Sequence, residues 1–216
     1  MKIVLFGATG NIGQRITAEA LRRGHEVVGV VREPSQSSSP DPRVKLVKGD
    51  ATSADSVAKV VKGADVVVSA ISPRPNSRGL PAPRLADAAR ALIEGTKKAG
   101  VKRLLVVGGA STLEVAPGLR LLDAPGFPDI YKAEAIEGAE SLDVYRSEGE
   151  GIDWTFISPA AEIFPGQRTG EYRTTAEKLI TDQNGKSQIT MEDYAVALLD
   201  EIENPQHAGA RFGVAY

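Results

Sequence analysis

Short apolar runs rich in β-branched residues recur along the chain at 2–6, 26–31, 44–47, 65–69, 103–107, 152–158 and 211–214. They are continuous rather than alternating, the pattern of parallel strands covered on both faces. Between them, helical stretches span 12–23, 53–62, 84–99, 132–148 and 192–204. This strand–helix alternation predicts βαβ units, hence an α/β protein built on a doubly wound parallel sheet. Gly24, Gly63, Gly100 and Gly151 stand where a helix must stop and a strand begin, the usual place of a helix-terminating glycine.

Those helix-to-strand turns are short, whereas the opposite turns are long: 33–43, 72–84, 111–130 and 159–187. Open α/β sheets bind ligands at the carboxyl ends of their strands, and the extra length falls on that side. The 35–41 segment reads as plain surface loop. No linker interrupts the pattern, so one domain over 1–216 is expected, with a lid-like insertion at about 160–190.

Composition narrows the chemistry. The 216 residues include no Cys and only two His, His25 and His207. Disulfides, thiol nucleophiles, thiolate zinc sites and a three-histidine metal site are therefore excluded, and no metal is expected. A net charge of −2 gives no sign of attraction to nucleic acid or to a membrane surface. The first apolar run is five residues long and ends at Gly7, too short for a signal-peptide core. No run approaches the roughly 20 apolar residues that span a bilayer. A cytoplasmic protein acting on a small molecule, as monomer or homodimer, is the expectation.

The first strand runs directly into Gly7-Ala8-Thr9-Gly10-Asn11-Ile12-Gly13 and then a helix. The three glycines answer different physical demands. Gly7 turns sharply out of the strand, Gly10 lets a diphosphate approach the backbone, and Gly13 permits close helix packing. The unsatisfied amides of the helix start and its positive dipole end would hold the phosphates. This is a dinucleotide cradle of the Rossmann type, with Thr9, Asn11 and Ile12 in the turn. After the second strand comes Arg32 and then Glu33. An arginine there accommodates a 2′-phosphate, which favours NADP(H), while Glu33 keeps NAD(H) open. Asp50 after the third strand either receives the adenine amino group or caps the following helix.

With these elements, the chain resembles the atypical branch of the short-chain dehydrogenase/reductase superfamily. Within it, the similarity is to NAD(P)H-binding flavin reductase and biliverdin-reductase-B-like proteins. The carrying residues are the Gly7–Gly13 loop, Gly49-Asp50-Ala51, Ser69-Ala70-Ile71-Ser72, Val107-Gly108-Gly109-Ala110, Trp154 through Pro159, Arg168-Thr169-Gly170 and the final helix. The resemblance implies a sheet of order 3-2-1-4-5-6-7, with the nicotinamide beside the loops after strands four, five and six. It places the cofactor along Arg32, Asp50, Ala51, Ala70, Ile71, Ser72, Gly108, Gly109 and Pro159.

The superfamily's catalytic Tyr, with Lys four residues later, is missing. The residues four beyond Tyr131, Tyr145, Tyr172 and Tyr194 are Ala135, Gly149, Ala176 and Leu198. A ketone acceptor needs a proton donor at its developing alkoxide. A flavin or quinone spreads the incoming charge over a conjugated ring, and so fits this chain better; FMN is a candidate substrate. Ser111 and Thr112 are the candidate hydroxyls for orienting the acceptor, or else caps of the turn. Tyr131 either closes over the substrate or packs. Pro159 ends the sixth strand where main-chain groups can reach the nicotinamide amide, and Arg168 is a candidate anion contact for substrate or for a cofactor phosphate. A nucleotide-sensing regulator without catalysis is the alternative, and a sugar-nucleotide epimerase or dehydratase a weaker one. Trp154 is read as core, Thr190 with Asp193 as a capping box, His25 as remote from the site, and His207 as surface.

Overall fold

The computed structural model describes residues 1–39, 41–74 and 82–216. Its strands are β1 (Lys2–Phe6), β2 (Glu26–Val31), β3 (Lys45–Lys48), β4 (Val66–Ser69), β5 (Arg103–Val107), β6 (Glu114–Ala116), β7 (Leu119–Arg120), β8 (Asp153–Ser158), β9 (Glu162–Phe164), β10 (Arg173–Thr175), β11 (Gln188–Thr190) and β12 (Ala210–Ala215). The α-helices are α1 (Asn11–Arg22), α2 (Ala54–Val61), α3 (Leu85–Lys98), α4 (Asp129–Glu148) and α5 (Met191–Glu203). The main sheet runs β10-β12-β8-β5-β4-β1-β2-β3. Seven of its strands are parallel, in the order expected, and β10 adds an antiparallel edge on β12. It is a Rossmann-like α/β fold.

Alternate residues of each strand serve opposite layers. Ile3 and Leu5 of β1 join a core with Ile16 and Ala20 of α1 and Tyr194 and Leu198 of α5. Val4 and Phe6 turn the other way, into a core with Val57 of α2, Ala89 and Leu92 of α3 and Leu142 of α4. A strand apolar at every position is what such two-sided burial requires. Trp154 lies in the second core, 5.9 Å between ring centroids from Tyr145.

The 160–190 stretch is less a separate lid than a set of short strands lashed to the sheet. β9 pairs with β11 in a two-stranded sheet, and β10 extends the main one. Helix α4 begins at Asp129, three residues before the predicted start, because Pro128 holds an extended conformation as N-cap and Asp129 opposes the helix dipole. His207, read as surface, is half-buried, stacked on Phe212 at 4.1 Å and bonded through Nδ1 to Glu201 at 2.8 Å. No helix among the described residues is long and apolar enough to cross a membrane.

Candidate active site

The carboxyl ends of the central strands finish level. Phe6 pairs with Ser69, Ser69 with Val106, Val107 with Ile157, and Val31 with Lys48. Gly7, Arg32, Gly49, Ala70, Gly108 and Pro159 therefore leave one edge of the sheet side by side. Short backbone bonds lock the level: Ala70 N–H to Phe6 O at 2.9 Å, Gly49 N–H to Val31 O at 3.0 Å and Gly108 N–H to Ile157 O at 2.9 Å.

Gly7 has φ of +81°, and a Cβ there would lie 2.5 Å from the Ala70 carbonyl oxygen. Both backbone conformation and the neighbouring strand exclude a side chain. A Cβ on Gly13 would overlap the Gly7 carbonyl oxygen and crowd Ala8. Gly13 thus draws α1 against the turn itself rather than against the sheet at large. Gln14 Nε2 donates to Thr9 O at 2.9 Å and Gly10 N–H to Gly7 O at 3.0 Å, which fixes the turn. No side chain caps Gly10, and no acidic residue occupies the first turn of α1. By contrast α2 and α5 have side-chain caps at Ser53 and Thr190 and acidic residues in their first turns. The amino end of α1 alone of these three leaves its amides and its positive field to an anion.

At the carboxyl end of β2 Arg32 is half-buried. Glu33, the residue that kept NAD(H) open, is joined to Lys48 at 2.9 Å. Asp50 accepts from Thr52 N–H at 2.9 Å and Thr52 Oγ1 at 2.7 Å, both through Oδ1, so one carboxylate oxygen caps the turn into α2. Ala51 sits beside it, half-buried.

Beyond β4 Ala70 and Ile71 are half-buried and Ser72 exposed, its Oγ accepting from Arg74 N–H at 3.2 Å. A Cβ on Gly108 would overlap the Phe156 ring. Beyond Gly109 the chain makes one turn of 3₁₀ helix, Ala110–Thr112, which separates the two candidate hydroxyls. Ser111 Oγ donates to Ala135 O of α4 at 3.3 Å. Thr112 Oγ1 accepts from Arg211 Nη1 at 3.4 Å, and the same buried guanidinium is paired through Nη2 with Glu177. Tyr131 stands in the first turn of α4, 48% exposed. Tyr131 and Ala135 share a helix face, being four residues apart. Ser158, just before Pro159, is fully buried and its hydroxyl lacks a partner among the described residues. It lies on the same face of β8 as Phe156, which abuts Gly108. The uncapped helix start, the side-chain-free cradle and this orphaned hydroxyl at the strand ends fit a dinucleotide.

Arg168 does not join this group. It donates to both oxygens of Glu19, at 2.8 and 3.1 Å, roughly 13 Å along α1 from Gly10. Burial would raise the Glu19 carboxyl, but bonds from Arg22, Arg168 and Arg23 outweigh it and hold the group well below the ordinary range. The capping box at Thr190 is only half formed. Asp193 N–H donates to Thr190 Oγ1 at 3.1 Å, yet the Asp193 carboxylate turns to Thr169 N–H, Gly170 N–H and Tyr216 Oη at 2.6–2.8 Å. Burial opposes its ionisation, and these donors keep its pKa lowered. His25 bonds Glu203 at 2.8 Å, far from the strand ends. No group of three or more His, Cys, Asp or Glu among the described residues could hold a metal.

A family model described as NAD(P)H-binding matches residues 7–205, from the glycine turn to beyond α5. The chain belongs to the NAD(P)H-binding family. The uncharacterised protein YwnB of Bacillus subtilis (strain 168) is 41% identical over 217 residues, covering 99% of this chain and 98% of that one. Among solved structures, a nominal exported protein of Burkholderia pseudomallei is similar with TM-score 0.89 and 46% identity, each chain covered completely. A nominal NADH-flavin reductase of Streptococcus pneumoniae is similar with TM-score 0.83 and 33% identity, over 100% of this chain and 99% of that one. The NAD(P)H-binding assignment bears out the resemblance read from the motifs, and makes a nicotinamide dinucleotide the cofactor of this fold.

Sequence reasoning missed the Thr112–Arg211–Glu177 chain, because Arg211 lies in a strand recognisable only by its apolar neighbours. The signal was an arginine inside an otherwise buried run, which demands a partner.

Proposed function

We propose that this member of the NAD(P)H-binding family is an NADP(H)-dependent reductase that passes hydride to a conjugated small molecule such as a flavin or quinone. Position 135 carries the reading. The α4 face that begins with Tyr131 continues with Ala135, so no ammonium stands one turn on beside the phenol. A ketone, which concentrates charge on one oxygen, is then poorly served, and a conjugated ring is well served.

When bound, the reduced nicotinamide supplies two electrons and one hydrogen as hydride; the second hydrogen of the reduced acceptor comes from water as a proton. The protein's part is position. The Gly7–Gly13 turn with Thr9, Asn11 and Ile12 holds the diphosphate. Arg32 receives the 2′-phosphate, since Glu33 is engaged by Lys48. The second oxygen of Asp50 and the Ala51 backbone take the adenine. Ala70, Ile71, Ser72, Gly108, Gly109 and Pro159 flank the nicotinamide, with Ser111, Thr112 and Tyr131 toward the acceptor. The similar nominal NADH-flavin reductase supports a flavin as the acceptor.

An acceptor panel with NADPH and NADH tests it. Steady NADPH consumption with FMN or 1,4-benzoquinone, lost in Gly10→Asp, is expected. An Arg32→Ala variant should bind NADPH about tenfold more weakly and NADH little differently, one charge-assisted contact being worth roughly that factor. Rapid reduction of simple ketones with flavins and quinones untouched would overturn the reading. NADPH bound but never consumed would leave a sensor.

A further inference from the structure

Two glycines beside Ser111 have no reason in the fold to be glycines. Gly138 stands in the middle of α4, where glycine is unfavourable relative to alanine. The other helical glycines have steric causes: a Cβ on Gly95 would lie 2.5 Å from Val57 Cβ, and one on Gly13 would overlap the Gly7 carbonyl. A Cβ on Gly138 would meet, among the described residues outside its own helix backbone, only Ser111 Oγ at 4.0 Å, an ordinary contact. Gly109 is extended, with φ −119° and ψ 161°, which any residue adopts. Its Cβ would again meet only Ser111 Oγ, at 3.8 Å. Both missing side chains therefore border one buried hydroxyl, and the third neighbour, Ala135, is small. The hydroxyl's bond to Ala135 O is long at 3.3 Å and readily exchanged. Thr112 is turned instead toward Arg211 and Glu177.

We propose that Gly109 and Gly138 keep open a subsite where the Ser111 hydroxyl donates to a ring carbonyl or ring nitrogen of the acceptor. The residue at 138 sets how wide a ring enters. This rests on the reductase reading for its ligand class, and it selects Ser111 over Thr112 as the acceptor-facing hydroxyl. A fused three-ring flavin needs the room on the Gly138 side; a single-ring quinone needs less of it.

The experiment compares wild type with Gly138→Ala and, as a second variant, Gly109→Ala. FMN binding is read by quenching of flavin fluorescence with NADP⁺ present, NADPH binding by its own fluorescence, and folding by thermal melting. Gly138→Ala should melt a few degrees higher, bind FMN at least tenfold more weakly, and bind NADPH within twofold of wild type. Turnover with 1,4-benzoquinone should fall less than with FMN, and Gly109→Ala should weaken FMN in the same direction. Unchanged FMN binding in both variants overturns the proposal. So does a loss of NADPH binding in Gly138→Ala as large as its loss of FMN, which would assign the space to the cofactor, and so does a wild type that binds no FMN. A wild type that binds FMN, more tightly than Gly138→Ala, but never consumes NADPH would sink the reductase reading and leave the subsite standing.

Discussion

At Gly13 the backbone of α1 lies so near the Gly7 carbonyl that a single methyl group forces the turn open. Overpacking of this kind costs about 1–3 kcal/mol, so Gly13→Ala should lower the urea midpoint accordingly. It should also weaken NADPH, because the amides facing the diphosphate move with the turn; a fluorescence titration reads this. The opposite experiment is at Ala135, which is 7% exposed and already touched by Ser111. With Tyr131 one turn before it, Ala135→Lys would complete a Tyr–Lys pair. Ketone reduction should then rise above the wild-type background, measured as NADPH loss with simple ketones. At this scale, what was legible in the sequence was what depends on near neighbours along the chain. The demands on Gly7 and Gly13 arise within seven residues and one adjacent strand. The separation of Ser111 from Thr112 was not legible, since it depends on Ala135 and on Arg211, brought together by topology.

Among the elements, α5 does more than cover the sheet. Asp193 at its start gathers Thr169, Gly170 and Tyr216, and Glu192 accepts from Gly166 N–H at 2.8 Å. The 166–170 segment is therefore strapped down at two adjoining carboxylates. Asp193→Ala leaves the part-buried donors of Thr169, Gly170 and Tyr216 unanswered and should cost about 1–3 kcal/mol in denaturant unfolding. Limited proteolysis between 165 and 172 should speed up in the same variant. The long elements were legible because they carry many apolar positions each. The strands β6, β7, β9, β10 and β11 are two or three residues long. A run that short carries no period, and its pairing is decided by partners elsewhere in the fold.

For the molecule as a whole, the buried carboxylates set the response to acid. Glu19, Asp193 and Glu201 are each held below their ordinary values of 4.5, 3.8 and 4.5. In each case burial opposes ionisation and the surrounding donors overcome it: Arg22, Arg168 and Arg23 on Glu19; Thr169, Tyr216 and Gly170 on Asp193; His207 and Gln206 on Glu201. A depressed carboxylate in the folded state binds fewer protons than the unfolded chain. Its stabilisation is present above the unfolded value and lost as pH falls through the folded one. The unfolding free energy should accordingly decline below about pH 4.5, and Glu19→Gln should flatten that decline; urea titrations at stepped pH check both. The order of the seven parallel strands followed from the family resemblance once the glycine turn was recognised, whereas the antiparallel β10 edge lay hidden in a polar stretch. The pairing of the first helix with the last also bears on biosynthesis. Helix α1 packs on α5, and Arg23 pairs with Asp200 and Glu203. A ribosome working at 5–20 residues per second needs roughly ten to thirty seconds to travel from one helix to the other. Throughout that interval Ile16 and Ala20 lack the cover of Tyr194 and Leu198, so the nascent chain should engage holding chaperones, and a polypeptide released before α5 should be recovered in the insoluble fraction.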